Sequence, residues 1–170
     1  MGIRIAGITE DSIVDGEGLR LVLFTQGCPH ACPGCHNPET HDLQGGTWLD
    51  EEALLSLIRE NPLLDGVTFS GGEPFLQAKE LALLANRIRK EFGSRPDFSL
   101  MAYTGYTFEE LLTRVPSALD LLLELDLLVD GRFIQEKRTL DLLWRGSTNQ
   151  RILQVPSSLE QKTPVLYLPA

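Results

Sequence analysis

Leu21-Val22-Leu23-Phe24-Thr25-Gln26-Gly27-Cys28-Pro29-His30-Ala31-Cys32-Pro33-Gly34-Cys35 is the stretch on which the reading of this 170-residue chain turns. Its first third, Leu21 to Thr25, is a short apolar run and reads as a buried strand. The residues after Thr25 cannot continue as regular structure. Pro29 and Pro33 lack a backbone N–H and restrict the residues before them, and Gly34 lets the backbone approach a neighbour closely. A strand therefore delivers its C-terminal end straight into a loop of three thiols. The spacing C-x3-C-x2-C holds every cysteine of the chain.

Core cysteines scatter, because each acts as a small independent hydrophobe. A disulfide framework calls for an even number in a secreted context. The cluster reads instead as a metal site with three protein ligands, one short of a tetrahedral shell. A reactive centre keeps a coordination position open, whereas structural zinc is closed by four ligands. The cysteines alone leave two main chemistries standing, beside the lesser reading of redox or incidental thiols. One is an iron–sulfur cluster with one iron free for a small molecule. The other is zinc, with His30 or His36 as fourth ligand.

Outward from this loop, apolar runs alternate with amphipathic stretches. Asp50 opens a helix to about Glu60, with Ala53, Leu54, Leu57 and Ile58 on its inner face and acidic residues at its positive end. Gly66 to Ser70 is a strand. Gln77 to Phe92 is a helix with Leu81, Leu84, Ile88 and Phe92 inward and Gly93 as the stop. Phe98 to Tyr103 is a strand, a helical stretch begins near Phe108, Ser117 to Glu124 is a further helix, and Asp126 to Asp130 is the next strand. Such alternation predicts a mostly parallel α/β sheet. Four parallel strands with one or two weaker ones are too few for a standard eight-stranded barrel, so the expected architecture is an open, partial (β/α) barrel. It forms one domain over residues 1–170, with a core at about 13–151 and a C-terminal tail at about 156–170.

In such a sheet the site lies at the C-terminal ends of the strands. The special residues obey that rule. The cysteine loop follows one strand, Ser70-Gly71-Gly72-Glu73-Pro74 the next, Tyr103-Thr104-Gly105-Tyr106 the third and Asp130-Gly131 the fourth. Taken alone, Gly71-Gly72 is a turn. As chemistry it offers backbone groups with no Cβ in the way and one carboxylate, which together suit a primary ammonium. Thr104 stands where it can line the pocket. Asp130 is either a turn carboxylate or a group that orients a cofactor or holds a cation. His36 and Asn37 stand beside the third thiol and are read as hydrogen-bond donors to the bound group. His30 and His41 are read as exposed loop residues.

Composition bounds the rest. The net charge of −9 and the lack of a dense basic run disfavour nucleic-acid binding. No apolar run approaches the roughly 20 residues that cross a bilayer, and Met1 to Gly7 has no signal-peptide core. The expectation is a cytoplasmic protein in a reducing compartment, without membrane or nucleic-acid partners.

The spacing C-x3-C-x2-C resembles the cluster-binding signature of the radical S-adenosylmethionine (radical SAM) superfamily, and the longer run Gly27 to Thr40 is closer still to one subgroup of it. Many members carry an aromatic residue before the third cysteine. Gly34 stands there instead, which is similar to the activating proteins of anaerobic ribonucleoside-triphosphate reductases, a group of glycyl radical enzyme activases. Leu128 to Phe133, Leu143 to Arg151 and Ile13 to Arg20 resemble the same group, although Glu17 replaces a proline common there. The resemblance covers roughly residues 13–151.

That resemblance implies one [4Fe-4S] cluster on Cys28, Cys32 and Cys35, with S-adenosylmethionine on the open iron. Gly71, Gly72 and Glu73 are carried over as the element that binds its amino group. Gly34, His36, Asn37, Thr104 and Asp130 join them as candidate cofactor-binding residues. Reductive cleavage would yield a 5′-deoxyadenosyl radical that removes hydrogen from a glycine Cα, with no side chain needed as acid or base. The implied partners are the large catalytic subunit of the reductase and a flavodoxin- or ferredoxin-type electron donor. An activase of another glycyl radical enzyme, such as pyruvate formate-lyase, is the nearer alternative; a zinc-stabilised interaction module is the more distant one.

Overall fold

The computed structural model describes residues 2–169. Seven strands form one sheet: β1 (Arg4–Ser12), β2 (Arg20–Thr25), β3 (Thr47–Trp48), β4 (Gly66–Gly71), β5 (Ser99–Tyr103), β6 (Leu127–Asp130) and β7 (Arg151–Gln154), in the order β3-β1-β2-β4-β5-β6-β7. The centre, β2-β4-β5-β6, is parallel. Both margins are antiparallel: β1 pairs with β2 and β3 on one side, and β7 with β6 on the other. The expected parallel strands are all present. The sheet extends beyond them through β1, β3 and β7.

Among the described residues, five α-helices accompany it: α1 (Glu51–Glu60), α2 (Ala78–Phe92), α3 (Phe108–Arg114), α4 (Ala118–Leu122) and α5 (Val155–Gln161). Their starts follow local chemistry. The Asp50 carboxylate accepts from the Ala53 N–H at the head of α1, and Thr107 and Glu110 form a reciprocal capping box on α3. The inner stripe of α2 is the expected one, with Leu81, Leu84, Ile88 and Phe92 all buried. On α1 the buried residues are Leu54, Leu55 and Ile58, while Ala53 is exposed. Leucine gains far more than alanine on leaving water, so the helix turns Leu55 inward instead. The expected tail carries α5, and Leu166 bridges back to Leu153.

Alternation along the strands sorts two faces. Leu21 and Leu23, Val67 and Phe69, Leu100 and Ala102, and Leu128 pack with α1, α2, α3 and α4 into the main core. Met101, Leu127, Val129 and Ile152 point the other way and are covered by Tyr103, Trp144 and Tyr167. That second face also holds a buried cation. The Arg20 guanidinium donates to Thr68 Oγ1 at 2.7 Å, to the carbonyls of Glu17, Val67 and Ser99, and to Ser99 Oγ. Burial pushes its pKa down to about 10, so it stays charged at neutral pH.

Candidate active site

Register decides what meets at the C-terminal rim. Thr25 pairs with Gly71, and Tyr103 with Val129, so the loops after β2, β4, β5 and β6 emerge side by side. Two backbone bonds weld the first two. Gly72 N–H donates to the Thr25 carbonyl at 2.9 Å and Glu73 N–H to that of Gly27 at 2.8 Å. A Cβ on Gly72 would lie 2.3 Å from Gly27 O, and one on Gly71 2.5 Å from Thr25 N. The paired glycines are thus required first by the contact between the two loops.

The cysteine loop is fastened at its base by Gly27 N–H on Thr40 O at 2.7 Å and Cys28 N–H on His41 O at 3.4 Å. Cys28, Cys32 and Cys35 are free and half-buried. All three open onto one cavity of about 580 Å³, together with His36, Asn37, His41, Gly71, Gly72 and Thr104. Burial pushes the Cys28 and Cys32 thiols up, so a metal must displace their protons to bind. The Asn37 N–H points at Cys35 Sγ, 3.4 Å away.

Three expected residues lie elsewhere. Gly34 packs against the Gln135 side chain and is not part of the cavity wall. Asp130 is 1% exposed and faces a neighbouring cavity of about 520 Å³. Its carboxylate accepts from Arg151 Nε at 3.0 Å, Arg151 Nη2 at 2.5 Å and the Phe108 N–H at 2.8 Å. Glu73 is fully buried and engaged within the protein by His30, Thr104, Gly105 and Phe75. The reason in each case is an internal partner that the strand-by-strand reading could not supply.

His30 and His41 correct the expectation of exposed loop residues. The His30 side chain is 5% exposed. His41 Nε2 is buried without a hydrogen-bond partner in the wall of the thiol cavity. Trp144, Arg145, Gly146 and Gln150 also line this cavity. Gly146 faces the His36 ring, which leans on Phe133 at 5.1 Å, and Gln150 ties Gly146, Ser147 and Gly131 together. Exposed Ile13, Val14, Leu140 and Leu143 join Phe133, Leu142 and Trp144 in the apolar part of the lining.

The chemistry of the donor set suits an iron–sulfur cluster, with three thiols lining the same cavity and a backbone N–H aimed at the sulfur of one of them. Among the described residues, no group of three His, Cys, Asp or Glu side chains is drawn together closely enough to hold a single metal ion. The comparisons agree at the level of class. The family described as a 4Fe-4S single cluster domain matches residues 14–153, which makes this an iron–sulfur protein. Proteins named anaerobic ribonucleoside-triphosphate reductase-activating protein are similar over most of their length. That of Haemophilus influenzae is 35% identical and that of Pasteurella multocida 38% identical, each over 82% of this chain and 90% of the relative. That of Escherichia coli K12 is 35% identical over 81% and 90%. The chain belongs to the family of anaerobic ribonucleoside-triphosphate reductase-activating proteins. A crystal structure of QueE from Escherichia coli is 22% identical, with a TM-score of 0.46, over 63% of this chain and 54% of that one. Among the described residues, no helix is long and apolar enough to cross a membrane.

Proposed function

We propose that this chain is the radical SAM activase of an anaerobic ribonucleoside-triphosphate reductase, holding one [4Fe-4S] cluster on Cys28, Cys32 and Cys35. The observation that carries this is the opening of three thiols and the Gly71-Gly72 backbone onto one cavity at the C-terminal ends of parallel strands. Family membership supplies the partner.

Held by these thiols, the cluster would supply one-electron reduction of S-adenosylmethionine, the chemistry that installing a glycyl radical on the reductase requires. The protein's own work is to hold and to shelter. Cys28, Cys32 and Cys35 bind as thiolates. The Asn37 N–H toward Cys35 stabilises charge on that sulfur. Gly71 and Gly72 keep the loop after β4 against the cysteine loop, where their backbone would be available to hold the cofactor's amino acid portion. Thr104, His36 and His41 complete the polar wall, and Ile13, Val14, Leu140 and Leu143 limit water at the mouth. The electron donor is a flavodoxin or ferredoxin of the reducing cytoplasm.

Anaerobic electron paramagnetic resonance of the iron-reconstituted, dithionite-reduced protein tests the reading. A cluster signal that changes on adding S-adenosylmethionine, and a glycyl radical signal once the reductase is present, are expected. A protein that takes up zinc instead, or a cluster signal indifferent to S-adenosylmethionine, would overturn it.

A further inference from the structure

The carboxylate of Glu73 is saturated from inside the protein. Its Oε1 lies 2.7 Å from His30 Nε2 and 2.7 Å from the Gly105 N–H that donates to it. The Thr104 hydroxyl reaches both oxygens at 2.9 Å, and the Phe75 N–H donates to Oε2 at 3.0 Å. A side chain wholly removed from solvent, with its lone pairs committed to these donors, has none directed at a ligand. It is absent from the lining of both cavities.

His30 is built in with equal care. It sits two residues from Cys28 and two from Cys32, at the middle of the loop. Its ring meets Tyr106 edge-on, with centroids 4.5 Å apart. A Cβ on Gly105 would come within 2.4 Å of the ring, so glycine is what lets the ring enter. The next residue, Ala31, has φ +48°, a left-handed conformation that alanine adopts only when its surroundings enforce it. An anchor on one side and a forced turn on the other set where Cys32 points.

We propose that His30 and Glu73 form a clasp that fixes the cysteine loop for cluster ligation. His30 is the positioning residue and Glu73 its buried anchor, and neither contacts S-adenosylmethionine. The inference rests on the reading of Cys28, Cys32 and Cys35 as cluster ligands. It reassigns Glu73 from the cofactor to the loop, and it gives Thr104 and Gly105 the same task from the β5 side. The loops after β2, β4 and β5 then meet at one carboxylate.

The test compares reconstituted wild type with His30→Ala, Glu73→Gln, the double variant and His30→Gln, whose amide can still donate to Glu73. The readout is the rate at which a ferrous chelator strips iron, with the KM for S-adenosylmethionine measured on the loaded fraction. Loss of such a supporting contact weakens metal holding by about 10- to 100-fold. Each single variant is expected to lose iron about tenfold faster. The double is expected to lose it no faster than either single, His30→Gln to recover part of the loss, and KM to stay within about twofold of wild type. Wild-type iron retention in His30→Ala would overturn the clasp. So would multiplying effects in the double, or a raised KM in Glu73→Gln with iron held normally. If wild type itself takes no cluster, the proposed function fails separately. The clasp is then read from amide hydrogen exchange of the metal-free protein. Faster exchange across residues 27–35 in His30→Ala supports it, and unchanged exchange overturns it.

Discussion

Asp130 and Arg151 face each other directly in the β6–β7 register, joined by two parallel hydrogen bonds of 3.0 and 2.5 Å. The same carboxylate receives the Phe108 N–H at the head of α3. One buried anion thus fastens an edge strand and a helix terminus. Asp130→Ala would leave the Phe108 N–H without its acceptor and Arg151 with only Glu109. The expected loss is about 2–4 kcal/mol in urea unfolding, at the lower end because Arg151 is partly exposed. Iron content of the folded fraction is expected to be unchanged; a selective loss of iron or cofactor binding would instead make Asp130 part of the site.

Arg151 also holds the Glu109 carboxyl below its usual range, and Arg132 does the same for Glu110. A depressed folded-state pKa means that the contribution is present above the unfolded value of about 4.3 and is lost as pH falls through the folded one. Stability is therefore expected to decline below about pH 4.5, and less steeply in a Glu109→Gln, Glu110→Gln double variant. Both pairs reach the surface, so about 1 M salt should flatten the same limb. Urea midpoints against pH give the comparison, and identical limbs in variant and wild type would refute it.

Arg20 serves five acceptors from the buried face of the sheet. Arg20→Met should cost about 3 kcal/mol or more, because it strands those oxygens. Arg20→Lys should recover only part, since an ammonium cannot reproduce the planar fork. Thermal unfolding of the two variants is the check. Equal midpoints for Met and Arg would mean that the network contributes nothing net.

Gly72→Ala places a methyl against the carbonyls of Gly27 and Thr40, which are backbone and cannot move aside. Cluster loading is expected to fall sharply, with displacement of the cysteine loop visible in amide exchange. Gly7→Ala, where nothing lies within 4 Å, is the control and should change stability by no more than about 1 kcal/mol. Normal loading in Gly72→Ala would refute the seam between the two loops.

At Ala31 the left-handed backbone makes glycine tolerable and a β-branched residue costly. Ala31→Gly should stay within about 1 kcal/mol of wild type, the strain relieved being offset by unfolded-chain entropy. Ala31→Val should fall below it and load iron poorly.

The central strands were legible because β2, β4, β5 and β6 are short apolar runs that each stop at a chemically distinctive residue. Strand β1 was not: its register shifts between Ile5 and Gly7 and again between Thr9 and Ser12, and such bulges erase the alternation that betrays a strand. β7 and α5 lay in a stretch where only a polar loop and a tail were visible. The cysteines and Gly71-Gly72 could be singled out as candidates because their spacing is local. The partners of Glu73, Asp130 and Arg20 could not, since contacts such as His30 to Glu73, 43 positions apart, leave no periodic trace. On α1 the helix was right and its rotation slightly wrong, because apolar spacing alone did not weigh Leu55 against Ala53.

The chain between Asp130 and Arg151 leaves the sheet and returns to it at the same rung, 21 positions later, with Arg138 and Ser147 bridged midway. Its two ends are pinned together whatever lies between them. Lengthening a loop tied at its neck is inexpensive, about 0.6 kcal/mol for each doubling of length. Residues 131–150 nonetheless touch the cysteine loop, with Gln135 beside Gly34 and Phe133 against the His36 ring, so a change of length in the middle of this segment is felt at the thiol loop before it is felt by the strands.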